Sequence, residues 1–265
     1  MSFRGSRVWI TGASSGIGAA LARELSAQGA HLLLSSRRES ELRRVQADCI
    51  GAAQSVHILP LDLTDAPQLQ RVSADALRRF GPIDLLIHCA GVSQRSLAQD
   101  TIAEVDRMIM EINYFGAVEL TRAVLPSMLA RNSGHIVVVT SVAGKVGSPL
   151  RSSYSASKHA LHGYFDCLRA EVHHAGIRVT TACPGYIDTE ITRNSFLGNG
   201  ERYGKVDAVL AKGMPVRECA RRILAGVARN NPEFVVSRAK ERMAVYLRRF
   251  VPRLFFRIVR NHRPA

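Results

Sequence analysis

The sequence predicts an α/β fold: a doubly wound, seven-stranded parallel sheet with helices on both faces, followed by a basic amphipathic C-terminal extension. Three observations carry that prediction. Short β-branched or aliphatic runs alternate with longer stretches of helical period, the order that builds βαβ units. A glycine-rich turn joins the first run to the first helical stretch. The alternation stops near Ser237, beyond which arginines and bulky apolar residues intermix.

Taken in order, strands are expected near 7–11, 31–36, 56–61, 84–89, 134–140, 177–183 and 233–236. Helices are expected near 17–28, 39–48, 66–80, 102–131, 152–175 and 215–229. The punctuation agrees: Gly29 follows the first helix, Gly81-Pro82 the third and Gly176 the long one from Ser152, where glycine supplies the left-handed turn that ends a helix. In such a sheet a ligand lies beyond the carboxyl ends of the strands. Residues 1–237 then form one catalytic domain and 238–265 a tail. The polar, glycine-containing segment from Tyr186 to Met214 is expected to be a mobile lid.

With 265 residues, 46% hydrophobic and 22% charged, the chain has the apolar material for a globular core. Its formal charge is +14. From Ser237 onward nine Lys/Arg face a single acid, Glu241, so the tail alone supplies +8. A basic balance fits anionic partners, but nothing resembles a base-reading motif, so nucleic acid is not expected. No apolar run is long enough to span a bilayer. The strand-like Arg7 to Ile10 begins too soon after Met1 to leave room for a secretory signal peptide. Five cysteines without a C-x-x-C pair read as buried, reduced thiols. A cytoplasmic location is expected, peripheral on a membrane if the tail docks there.

After the first strand comes Thr11-Gly12-Ala13-Ser14-Ser15-Gly16-Ile17-Gly18, with a helix opening at its end. Glycines here let the backbone approach a pyrophosphate, and the helix N-terminus offers it free N–H groups. An ordinary strand-to-helix turn is the alternative; the position at the head of the fold favours the phosphate. The second strand ends Ser35-Ser36-Arg37-Arg38, where an acid would hold adenosine ribose hydroxyls. Two guanidiniums instead suit the 2′-phosphate of NADPH, unless they pair with Glu39 or Glu41 as a solvated edge. Asp62, just past the third strand, suits either the adenine amino group or a helix-initiating turn.

Tyr154 and Lys158 fall at i and i+4 on one helix face, which puts an ammonium near a phenol. A neighbouring cation favours phenolate and brings tyrosine into general acid–base range. By itself Tyr-x-x-x-Lys recurs by chance on many helices. Its company is more specific: Ser141 sits at a strand's carboxyl end, and Asn113 lies inside a long helix, where asparagine is mildly unfavourable and invites a reason.

With these residues in place, the chain from about Arg7 to Val236 resembles the short-chain dehydrogenase/reductases, a family with the Rossmann fold. The shared pattern is Thr11 to Gly18, Asp62-Leu63, His88-Cys89-Ala90-Gly91, Asn113, Ser141, Tyr154/Lys158, and Pro184-Gly185 with Thr189. The resemblance implies an NADPH-dependent interconversion of a ketone or aldehyde with an alcohol, without metal. Tyr154 would protonate the carbonyl oxygen and Ser141 would orient it. Lys158 would hold the nicotinamide ribose and depress the Tyr154 pKa, Asn113 would hold a water linked to Lys158, and Thr189 would bind the carboxamide. Leu63, Ala90, Gly91, Pro184 and Gly185 would complete the cofactor site. The family commonly forms homodimers or homotetramers. One departure stands out: Cys89 replaces an asparagine that braces neighbouring strands, which should loosen this region, while His88 reads as a packed strand residue. A non-catalytic NADPH-binding or membrane-scaffold protein on the same fold is the competing reading, since fold alone does not establish activity.

In the tail, a helical wheel puts Leu247, Phe250, Val251, Leu254, Phe255 and Ile258 on one side and Arg249, Arg253, Arg257 and Arg260 opposite. Pro252 either kinks this helix or starts a second. Such a segment could lie in an anionic membrane interface, pack on its own core or a dimer partner, or stay solvated. Tyr246 and Phe256 fall off the apolar side. Membrane docking would make a lipid-like or steroid-like ketone the natural substrate.

Overall fold

The computed structural model describes residues 2–49, 55–205 and 212–261. Seven strands, β1 (Arg7–Thr11), β2 (His31–Ser36), β3 (Val56–Pro60), β4 (Leu85–His88), β5 (Gly134–Val139), β6 (Ile177–Pro184) and β7 (Glu233–Val236), form one sheet in the order β3-β2-β1-β4-β5-β6-β7. Every pairing is parallel. The strand order reverses between β1 and β4, which opens a crevice at their carboxyl ends.

Alternation along each strand sorts the core into two layers. Val8 and Ile10 join Leu32, Leu34 and Ile87 on one face, beneath α1 (Gly16–Ala27), α2 (Glu39–Asp48) and α7 (Val216–Ala228). Trp9, Leu33, Leu86, Ile136 and Val138 face the other way, onto α3 (Ala66–Phe80), α5 (Gly116–Ala130) and α6 (Ser152–Val172). The inner strands are buried on both faces, so their sequences read as continuous apolar runs.

The expected helix over 102–131 is not continuous. It divides into α4 (Ala103–Met110), a π-helical turn over Glu111–Phe115, and α5. The wider turn directs Ile112 and Asn113 inward, where both are buried. Gly116 follows it, and a Cβ there would stand 2.6 Å from the Leu63 side chain, so only glycine lets the helix lie this close to the loop after β3. The helix expected to Ala175 ends as α6 at Val172, with a 3-10 turn over His173–Ala175 before the left-handed Gly176 at φ 70°.

The segment after β6 is anchored rather than a free lid. Phe196 is buried among Val92, Val105, Ile109 and Ile112, its N–H donates to Ser93 O at 2.9 Å, and its carbonyl accepts from Arg95 N at 2.8 Å. Residues 206–211 of that segment lie outside the described residues. The thiols also differ from expectation: Cys183 and Cys219 are buried, Cys49 and Cys89 part-buried, and Cys167 is exposed on the outer face of α6.

The tail forms two helices, α8 (Ala239–Phe250) and α9 (Pro252–Arg260), with Pro252 starting the second. The single apolar side expected from the wheel is divided by the break. Phe255 is buried against Val142 and Val146, with Ala244, Val245, Leu247 and Val259 packed around it, whereas Phe250, Val251, Leu254 and Ile258 are exposed.

Two histidines are buried in the sheet as neutral rings. His88 Nε2 lies 2.8 Å from Thr121 Oγ1, whose own proton goes to Ala117 O, so the ring must be the donor. His135 Nε2 stands in the same relation to Thr180 Oγ1, which donates to Asn231 O. Burial pushes His88 down to about 3 and His135 down to about 4. Below the ordinary value of about 6.5 the unfolded chain takes protons that the folded chain refuses, so stability falls on acidification. Each histidine should cost about 2 kcal/mol between pH 7 and pH 5. His135→Gln, whose amide keeps the donor to Thr180, should reduce that loss by about 2 kcal/mol. Urea midpoints at the two pH values test this, and an unchanged loss in the variant would refute it.

Candidate active site

The carboxyl ends of the strands open onto a cavity of about 370 Å³. Every residue expected to touch the dinucleotide lines it: Gly12, Ser14, Ser15, Gly16, Ile17, Gly18, Arg37, Arg38, Asp62, Leu63, Ala90, Gly91, Tyr154, Lys158, Pro184, Gly185 and Thr189. Ser141 lines it too, and Asn113 sits behind the wall, 1% exposed.

The turn after β1 is shaped by contact with the chain after β4. Gly12 has φ +67°, and a Cβ on it would come within 2.6 Å of the Ala90 backbone. Ser15 caps α1 without a side-chain hydrogen bond, so first-turn N–H groups are left to a ligand. At the far end Arg38 Nη2 donates to Ser14 Oγ (3.2 Å) and Ser15 Oγ (3.3 Å), and Arg37 shares the wall. Glu39 and Glu41 are not their partners: Arg43 binds Glu39 at 2.5 Å and Arg44 binds Glu41 at 2.9 Å. A close backbone turn at Gly12 and a helix N-terminus fit the pyrophosphate of a dinucleotide, with two guanidiniums on the same wall.

Two expectations resolve differently around this cradle. Asp62 lines the cavity, but its Oδ1 accepts from Thr64 N (3.0 Å) and Thr64 Oγ1 (2.9 Å), closing a turn, and the cap of α3 is Asp65, which accepts from Gln68 N. Cys89 does not leave its region unbraced. The N–H groups of Cys89 and Ala90 both donate to Thr11 Oγ1, at 3.3 and 3.4 Å, so the threonine hydroxyl joins the end of β1 to the loop after β4. Desolvation pushes the Cys89 thiol up to about 12, which keeps it protonated.

Tyr154 and Lys158 are 5% and 4% exposed, with Lys158 Nζ 5.8 Å from the Tyr154 ring centre. Lys158 Nζ donates to Val139 O at 3.2 Å. The expected depression of the phenol by Lys158 is not what the site shows. Burial raises Tyr154 above its ordinary value, and the opposing influences are the Ser141 hydroxyl and the Arg151 guanidinium. The same burial lowers Lys158 to about 8, weakening the cation that was to favour phenolate. Ser141 Oγ accepts from Ala143 N at 3.1 Å, which fixes its rotamer at the end of β5.

Asn113 makes three bonds: Oδ1 accepts from Val92 N (2.8 Å), and Nδ2 donates to Val92 O (3.0 Å) and Ser157 Oγ (2.9 Å). Asn113 Oδ1 and Lys158 Nζ flank the same glycine, since a Cβ on Gly91 would lie 3.2 Å from the one and 3.3 Å from the other. Behind the site His162, Cys183 and Glu233 approach one another. The imidazole presents Nδ1 to Glu233 (3.3 Å) and Nε2 to Thr140 (3.2 Å), while Lys145 holds Glu233 at 2.5 Å, a polar tie between α6, β5 and β7.

Sequence reading missed the outer wall, formed by Val92, Ile112, Arg151, Tyr186, Ile187, Ile191, Asn194 and Arg202. Arg151 had a signal, three positions before Tyr154 and so one turn below it on the same face. Arg202 had none. It reaches the wall because its guanidinium lies 4.0 Å over the Phe196 ring and its Nη1 donates to Asn194 O at 2.6 Å.

The geometry can be set beside known proteins. The profile of the short chain dehydrogenase family matches residues 6–199. Dehydrogenase/reductase SDR family member 7B of Mus musculus is 42% identical over 97% of this chain and 80% of its own. Dehydrogenase/reductase SDR family protein 7-like of Drosophila melanogaster is 42% identical over 96% of this chain and 79% of its own. A short-chain dehydrogenase/reductase from Burkholderia phymatum, solved with NAD, superposes with a TM-score of 0.84 at 24% identity, covering 100% of this chain and 98% of that one, and shows the shared fold. A short chain dehydrogenase from Burkholderia cenocepacia, solved with NADP, gives 0.79 at 27% identity, covering 98% and 99%. A profile match across most of the sheet, sustained by relatives aligned along nearly the whole chain, makes this protein a member of the short-chain dehydrogenase/reductase family of NAD(P)-dependent oxidoreductases.

Proposed function

We propose that the chain is an NADPH-dependent reductase of a lipid-like or steroid-like ketone or aldehyde. The observation that carries this reading is a buried phenol, Tyr154, facing the same cavity as Ser141 and Lys158, with Arg37 and Arg38 at its other end. Bound NADPH supplies a hydride to the carbonyl carbon. Tyr154, kept protonated by burial, donates its proton to the carbonyl oxygen as that oxygen gains charge. Ser141 Oγ hydrogen-bonds the same oxygen and steadies the oxyanion. Lys158, tethered to Val139 O, holds the nicotinamide ribose, and Thr189 the carboxamide. Arg37 and Arg38 clamp the 2′-phosphate.

Support for the nucleotide comes from the arginines, since one relative was solved with NAD and another with NADP. The substrate class rests on the outer wall, where Val92, Ile112, Ile187 and Ile191 offer apolar contact, with Arg151, Asn194 and Arg202 among them.

Tyr154→Phe removes the proton donor and should lower kcat/KM by about 10²- to 10⁴-fold, with NADPH binding unchanged by fluorescence titration. Turnover equal to wild type would end the proposed role. Failure to turn over any of a broad panel of ketones and aldehydes despite NADPH binding would end the whole reading.

Arg37→Ala with Arg38→Ala should weaken NADPH by about 10- to 100-fold, the loss of charge-assisted bonds, and leave NADH affinity nearly unchanged. Equal weakening of both nucleotides would contradict a 2′-phosphate clamp.

The pH profile has a defined sign. Lys158 is charged below its value of about 8 and neutral above it, whereas Tyr154, raised by burial, keeps its proton through that range. Reductive kcat/KM should therefore be flat below about pH 7 and decline through about pH 8. A decline only above pH 10 would show that the Lys158 charge is not needed.

A further inference from the structure

The described residues expose thirteen large hydrophobic side chains, and seven of them lie between Met243 and Ile258. They are ordered. On α8 the outward residues are Met243, Tyr246 and Phe250, Val251 is exposed at the junction, and on α9 the outward residues are Leu254 and Ile258. Met243, Tyr246 and Phe250 have the i, i+3, i+7 spacing of a helix stripe, and Leu254 and Ile258 the i, i+4 spacing. Phe250 is 74% exposed, although Phe255, five residues on, is 5% exposed in contact with the core. The inward residues thus fix the helix pair on the domain, and a second apolar stripe faces outward.

The stripe is set in positive charge. Arg242, Arg248, Arg249, Arg253, Arg257 and Arg260 are all exposed, and Arg248 lies over the Phe256 ring at 4.9 Å from its centre. Tyr246 and Phe250 stack at 6.4 Å. Arginines above aromatic and aliphatic side chains reproduce the layering of a bilayer interface, with head groups outside and acyl chains within. The helices have 12 and 9 residues, lengths of about 18 and 14 Å against an apolar slab of about 30 Å. They can lie in the interface and cannot cross it. A second copy of this chain is a poor occupant, because an isologous contact would bring two +8 tails together.

We propose that the outward stripe of Met243, Tyr246, Phe250, Val251, Leu254 and Ile258, with its flanking arginines, seats the protein on an anionic phospholipid surface. The inference stands on the tail's geometry and does not depend on the catalytic reading. The helix pair packs against the Val142 to Val146 loop that follows Ser141, so a docked protein would hold the loop beside its active site at a fixed height over the lipid.

The test uses the full chain with phosphatidylcholine vesicles and with vesicles that also contain phosphatidylserine. The wild type should sediment with the phosphatidylserine vesicles only, and less as salt rises. Arg249→Gln, Arg253→Gln and Arg257→Gln together should lower the partition coefficient by about 100-fold, about fivefold per arginine. Phe250→Ser, Leu254→Ser and Ile258→Ser together should abolish it, with the thermal midpoint unchanged because these side chains are exposed. Phe250→Trp should shift to shorter emission wavelength on docking, against a constant signal from Trp9, which is 0% exposed. No binding to phosphatidylserine vesicles would overturn the proposal. So would undiminished binding by the serine variant, or a wild-type dimer that the serine variant converts to monomer in the absence of any vesicle binding.

Discussion

Where the chain leaves β4, Val92 has no strand beside it, yet its N–H and C=O point into a dry interior. A backbone amide buried without partners costs about 1–3 kcal/mol for each group left bare. The carboxamide of Asn113 is the one side-chain type with a donor and an acceptor spaced to meet both groups, and it does so at 2.8 and 3.0 Å. Its remaining N–H goes to Ser157 Oγ. That hydroxyl can accept because its own proton is given to Tyr154 O. One side chain therefore ties together the cofactor loop, the π turn that carries it and the helix that bears Tyr154 and Lys158. The π turn follows from the same need, since one extra residue in the turn rotates Asn113 into the wall.

The burial that makes this clamp necessary also sets the chemistry of its neighbours. Desolvation disfavours whichever form is charged, so it raises Tyr154 and lowers Lys158 together. Burial thus disfavours the two charged forms on which their reciprocal help, cation favouring phenolate, depends. A neutral phenol is a proton donor, which suits reduction, and Ser141 and Arg151 pull in the opposite direction. Cys89 belongs to the same balance: burial holds it as a thiol, so it adds no anion beside Lys158.

The sheet was legible because both of its faces are covered. Runs such as Val8 to Ile10 and Ile136 to Val139 have no polar face to disguise them, and the glycines between elements mark turns of positive φ. The cradle and the pair on α6 were legible because their chemistry needs fixed local spacing. The clamp was only half legible: Asn113 looked out of place in a helix, but its partners are 21 and 44 positions away. Arg202 was invisible for the same reason, since its place depends on Phe196 being anchored among residues of another segment. The tail was misjudged on one face because a helical wheel assumes an unbroken axis, and Pro252 starts a new one.

That break has a structural consequence. An unbroken helix with one apolar side could either pack on the domain or face outward, but could not do both. Restarting at Pro252 lets Phe255 turn inward against Val142 and Val146 while Leu254 and Ile258 turn out. At the head of α8, Glu241 abuts the opposite side of the site, close enough that a Cβ on Gly185 would meet its Cγ at 3.3 Å. The tail thus braces two loops of the catalytic cavity, the one after Ser141 and the one at Pro184-Gly185. Its outward stripe contributes nothing to the core and leaves apolar surface in water. Because the same two helices carry both faces, whatever covers the outer one is mechanically joined to the walls that position Ser141 and the cofactor loop.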